Sequence, residues 1–222
     1  LAVSFFAVAS FSAVFAANIG LSTCSSGALS SYDPNGCAIG VLDYYSFGYN
    51  VANGNTGPGA ASITVTPTSD GFSFGPVNNT SNQTYNFEIS YYILIDPSPV
   101  IGGDTLHLDV SGVITVDEIF CNDQTLSAPP SPTCIGQPNP PTLEVGNANG
   151  LPNSNSITFT NPALTSQWVA LFFSVAPGAS FTGLENDSTV LTLVPEPSSV
   201  CLAFIGILGL AGGYKLRQRR TS

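Results

Sequence analysis

The sequence predicts an all-β fold, a β-sandwich or jelly roll of about eight to ten strands, for its central region 17–194. Three observations predict it. Apolar residues recur at every second position in one run after another, and no run carries the three-to-four spacing of an amphipathic helix. Clusters of Gly, Pro and Asn separate the runs at short intervals, as antiparallel connections require. Composition agrees, because 43% of the 222 residues are apolar and only 8% are charged, which suits a buried core and not a disordered chain.

In chain order, residues 1–16 (LAVSFFAVASFSAVFA) form an uncharged apolar run with small side chains at Val14 and Ala16. This reads as a secretory signal peptide cut between Ala16 and Ala17. Tyr45, Phe47, Tyr49 and Val51 mark an early strand, closed by the turn cluster at 52–59. Ile63 and Val65 then alternate with Ser62, Thr64 and Thr66. Over 85–95, Tyr85, Phe87, Ile89, Tyr91, Ile93 and Ile95 stand opposite Asn86, Glu88 and Ser90, the pattern of a long half-buried strand. Leu106, Leu108 and Val110 alternate with His107 and Asp109. The proline-rich stretch 121–155 has strand character only at Thr142–Val145 and is expected to be a long exposed loop that contacts a partner. Ile157 and Phe159 make a further strand, Trp168–Val175 reads as a strand buried on both faces, and Thr189–Val194 as the last.

Five cysteines are present. Cys201 falls in an apolar run near the C-terminus. The other four are an even number in an exported domain, where oxidising surroundings favour disulfides. Cys24 and Cys37, and likewise Cys121 and Cys134, bracket short turn-rich segments, so two local loops are expected, each stabilising by about 3 kcal/mol. A zinc site is disfavoured, since no Cys-x-x-Cys pair exists.

Charge is lopsided. Fourteen Asp and Glu face four Lys and Arg, for a net charge of −10. All four cations, Lys215, Arg217, Arg219 and Arg220, sit in the last eight residues. Residues 1–214 therefore have nothing to neutralise phosphates, which excludes nucleic acid as a partner. Chemistry is equally sparse. His107 is the only histidine and falls on the polar face of a strand, and neither a nucleophile elbow nor a phosphate loop is present. The domain is therefore expected to be non-catalytic, with no catalytic residue assigned. Its carboxylates leave two rival readings open. One is a secreted two-carboxylate hydrolase. The other is a calcium site drawn from Asp96, Asp104, Asp117, Glu118 and Asp123; no cofactor is otherwise expected. Among Tyr44, Tyr45, Tyr49, Tyr91, Tyr92 and Trp168 a sugar-stacking platform is possible, as in carbohydrate-binding sandwiches, although core packing also accounts for aromatic residues.

The C-terminus is the most specific part. Residues 198–214 (SSVCLAFIGILGLAGGY) are uncharged and apolar, about 25 Å of helix at 1.5 Å per residue, the short end of a membrane span. The cations follow at once and belong on the cytoplasmic side, which places 17–197 outside. Immediately before the run stands Pro195-Glu196-Pro197. This order of Pro-Glu-Pro, apolar helix and basic tail over 195–222 resembles the PEP-CTERM sorting signal, a tail also named after ice-binding proteins that carry it. The resemblance implies a bacterial exported protein recognised at Pro195, Glu196 and Pro197 by exosortase, a membrane-embedded transpeptidase-like enzyme. It further implies anchoring by the C-terminal helix until processing, and delivery to the cell surface or to an extracellular polysaccharide matrix. Prolines at both ends of the tripeptide keep it extended and out of the helix below.

Overall fold

The computed structural model describes residues 21–32, 36–51, 55–95, 99–122, 125–126, 133–148, 150–159 and 164–191. All belong to a compact unit that ends at Leu191. The strands, in chain order, are β1 (Gly27–Ala28), β2 (Cys37–Ile39), β3 (Leu42–Val51), β4 (Thr64–Pro67), β5 (Gly71–Gly75), β6 (Val77–Asn78), β7 (Tyr85–Ile95), β8 (Val100–Ser111), β9 (Ile114–Asn122), β10 (Thr125–Leu126), β11 (Cys134–Ile135), β12 (Thr142–Gly146), β13 (Ser154–Thr158), β14 (Ser166–Val175) and β15 (Ser180–Leu191). The described residues contain two single-turn 3₁₀ segments and no α-helix.

Two antiparallel sheets make the sandwich. One has seven strands in the order β1-β4-β5-β15-β8-β13, with β6 also on β15, and the other has six in the order β12-β9-β14-β7-β3-β2. Their inner faces meet through aromatic contacts, Tyr44 against Phe72 at 4.6 Å and Phe173 against Phe181 at 5.6 Å between ring centroids. Such pairs add about 1 kcal/mol each beyond the area they bury. On β7 the alternation holds throughout: Phe87, Ile89, Tyr91, Ile93 and Ile95 are all buried. Close strand approach needs glycine at one point in particular. A side chain at Gly71 on β5 would put its Cβ 1.9 Å from the Asn186 carbonyl oxygen on β15.

Four expectations need correction. More strands form than the eight to ten expected, because β1, β6, β10 and β11 are two residues long and β2 three, all too short to show a period. Within 121–155 the expected strand at Thr142–Val145 forms as β12, but the rest is not one loop: β9 runs on to Asn122, β10 pairs with β11, and β13 begins at Ser154. Trp168–Val175 is buried fully on only one face, since Trp168, Phe172 and Ser174 remain half-exposed. Finally, β3 does not keep one parity. A bulge opposite β7 between Tyr45 and Gly48, with Ser46 at φ 57°, inserts a residue and reverses the alternation. Tyr44 is therefore fully buried before the bulge and Phe47 packs inward after it, leaving Tyr45 on the outer face.

Candidate functional site

Two places combine functional groups, one between the sheets and one on the outside of the six-stranded sheet. The inner one is a pair of acids. Asp104 on β8 and Glu118 on β9 come from opposite sheets and are 1% and 0% exposed. Asn186 on β15 ties them together, its side-chain N–H groups donating to Asp104 Oδ1 at 2.6 Å and to Glu118 Oε1 at 2.9 Å. The Tyr91 hydroxyl donates to Asn186 Oδ1, and the Ser188 hydroxyl donates to Asp104 Oδ2 at 3.0 Å. Glu118 Oε2 is buried and accepts no hydrogen bond.

Burial drives the electrostatics there. It pushes both carboxyls well above the usual carboxylate range. The Asp104 charge raises Glu118 further, whereas Ser188, the Thr105 backbone and Asn186 offset part of the rise for Asp104. Asp104 has the richer set of donors and is the better place for a negative charge. Burial likewise lifts the Tyr91 and Tyr44 hydroxyls well above their ordinary value.

The outer site is a row of aromatic side chains. Tyr45 on β3 stands directly across from Tyr92 on β7, and Tyr92 directly across from Trp168 on β14. Consecutive strands therefore carry one ring each, and the Tyr92 and Trp168 centroids are 5.2 Å apart. All three are half-exposed, and Leu94, the next outward residue of β7, is 38% exposed. The Tyr45 hydroxyl is raised by burial and by hydrogen bonding with the Asp43 carboxyl. Glu88 lies on the same face, two outward positions along β7 from Tyr92. It is 4% exposed; burial raises its carboxyl, and hydrogen bonds from the Asn50 and Ser90 side chains offset part of the rise.

Of the calcium candidates, Asp104 and Glu118 come together but Asp117 does not, because it follows the opposite parity of β9 and points outward across from Glu144. Asp96 and Asp123 lie outside the described residues. Among the described residues no group of three His, Cys, Asp or Glu side chains is arranged to hold a metal ion. Strand parity thus separates Asp117 from Asp104 and Glu118. His107 is on the open face as expected, 46% exposed and 3.5 Å from Asp109. Of the six aromatic candidates, Tyr44 and Tyr91 are core residues and Tyr49 faces inward toward Phe87 at 5.9 Å, its hydroxyl pushed up to about 12 by burial. Both local disulfides form, Cys24–Cys37 and Cys121–Cys134, with Cα atoms 4.9 and 5.1 Å apart.

Like charges face each other at Asp117 and Glu144. Burial and then the Glu144 charge raise the Asp117 carboxyl. Replacing Glu144 with Lys is expected to stabilise the domain by about 0.5 kcal/mol at neutral pH, as an opposite-charge cross-strand pair does. The urea midpoint should lose that gain when the solution is acidified below the carboxylate range.

The termini complete the picture. Ala16 and Ala17, the Pro195-Glu196-Pro197 tripeptide, the apolar run 198–214 and the cations Lys215, Arg217, Arg219 and Arg220 lie outside the described residues. Among the described residues no helix is long and apolar enough to cross a membrane. A family described as "PEP-CTERM protein-sorting motif" matches residues 193–220, a span that holds the tripeptide, the run and all four cations. The chain carries a PEP-CTERM protein-sorting motif. No curated protein matches the chain. Solved structures similar to it include TmCBM61 in complex with β-1,4-galactotriose, 9% identical over 64% of this chain and 88% of that one, with a TM-score of 0.34. Others are the enzymatically active domain of bacteriophage CBA120 tailspike protein 4 (11% identical, 68% of this chain, 20% of that one, TM-score 0.29) and the C-terminal CBM6 of LamC from Zobellia galactanivorans (15% identical, 64% and 99%, TM-score 0.22).

Proposed function

We propose that this chain is an exported bacterial surface or extracellular-matrix protein, sorted and processed by exosortase, whose β-sandwich serves as a non-catalytic component. The sorting motif at 193–220 carries the reading. Recognition falls on Pro195, Glu196 and Pro197, held extended at the outer membrane boundary, while the apolar run sits in lipid and the basic tail keeps it in register. The non-catalytic part is supported by the burial of Asp104 and Glu118, the only acids that meet in the core among the described residues, at 1% and 0% exposure. The test is to replace the tripeptide with Ala-Ala-Ala in an exosortase-bearing host. The variant is expected to accumulate as an unprocessed, membrane-bound precursor. Normal shortening and surface delivery of the variant would refute the reading.

A second reading, in which the domain also holds a polysaccharide, is favoured by one observation. Three half-exposed aromatic side chains are lined up on consecutive strands of an outer sheet face.

A further inference from the structure

We infer that the Tyr45–Tyr92–Trp168 row on the outer face of the six-stranded sheet is a stacking platform for an uncharged polysaccharide lying across the strands. This rests on the polysaccharide reading and narrows it to one face and one ligand class.

Direction comes from the register. Tyr45, Tyr92 and Trp168 occupy directly opposed positions on β3, β7 and β14, so the row runs perpendicular to the strands. Neighbouring strands are about 4.8 Å apart, and three rings therefore span roughly 10 Å, enough for more than one sugar ring of an extended chain. The C–H face of a pyranose is apolar and packs flat on such rings, leaving its hydroxyls at the edge. All three positions lie on interior strands of the sheet, which hold them more firmly than loops would.

Charge and hydrogen bonding select the ligand. Residues 1–214 contain no Lys or Arg, and this face carries Asp43 and Glu88, so a polyanionic chain finds repulsion and no counter-charge. Hydroxyl donors of a neutral sugar suit it better. A peptide strand is disfavoured because it would need an open sheet edge, and β7 and β14 are paired on both sides.

The chain has a built-in reporter, since Trp168 is its single tryptophan. Full-length protein in a detergent without sugar headgroups would be titrated with neutral gluco-, xylo-, manno- and galacto-oligosaccharides and with a polyuronate, while Trp168 emission and acrylamide quenching are followed. At least one neutral series is expected to give a saturable blue shift with reduced quenching, and the polyuronate no change. Tyr92→Ala and Tyr45→Ala, shown by thermal melting to be folded, should each weaken binding about tenfold. Glycan binding, by co-sedimentation with insoluble polysaccharides, that both variants retain would overturn the platform and keep the polysaccharide reading. No binding by either method would remove both. An emission change that follows protein concentration, with dimers in sedimentation, would make the face a self-association surface and overturn the inference. None of these results bears on processing of the tripeptide.

Discussion

Replacing Glu118 with Gln is expected to stabilise the domain at neutral and alkaline pH and to flatten its dependence on pH. The native pair Asp104–Glu118 releases protons well above the range of exposed carboxyls, chiefly because it is buried. Below about pH 4 the acids are protonated in both folded and unfolded chains, and their contribution is fully present. As pH rises past that point the unfolded chain gives up protons that the native core retains. Stability then falls steadily until the raised native values are reached. Each pH unit of that window costs about 1.4 kcal/mol per group. The amide keeps the hydrogen bond that Glu118 Oε1 accepts from Asn186 and cannot ionise. Urea unfolding of the two proteins at a series of pH values between about 4 and 9 checks this. A parent stability that is level across the series, or a variant that declines as steeply as the parent, would contradict it.

Reduction of both disulfides is expected to be the other large effect. Each closes a loop with a sequence separation of 13, for which the chain-entropy argument gives about 3 kcal/mol. The loops lie at separate points of the chain, so their losses should add to about 6 kcal/mol, comparable with the whole stability of many domains. Cys24–Cys37 also pins the entry of the chain, where Cys24 N donates to the Ala38 carbonyl at 3.0 Å and Ala38 N to the Ser22 carbonyl at 2.9 Å. Cys121 is fully buried on β9, directly across from Trp168. Urea midpoints of the oxidised and reduced protein, and of the Cys24→Ala/Cys37→Ala and Cys121→Ala/Cys134→Ala variants, measure the two contributions separately. Midpoints insensitive to reductant would show that the loops are held by packing alone.

Long strands were legible because burial on one face imposes a two-residue period, as along β7. What alternation does not show has identifiable physical causes. In β15 the inward positions include Asn186 and Ser188, so the apolar signal fades where the buried acids need partners. Parity alone could have found those acids: Asp104 shares it with Leu106 and Leu108, and Glu118 with Val116 and Phe120. Alternation alone puts Tyr45 on the face of Phe47, because the bulge leaves no mark in the sequence. The aromatic row draws on strands far apart in the chain, and only the pairing of β3, β7 and β14 brings it together. By contrast, the sorting motif is a linear signal, readable without any folding at all.

The place of β15 bears on how the protein can be exported. It is the last strand of the domain to be made, yet it is the shared neighbour of β5, β6 and β8. Until it arrives, β1-β4-β5 and β8-β13 are two fragments with no common seam. A chain threaded outward from its N-terminus thus stays incomplete until Leu191 has emerged, two residues before the sorting motif begins. If the chain is exported as proposed, the seven-stranded sheet can close only when passage is nearly complete, and a stall near its end would leave β5 and β8 with bare edges.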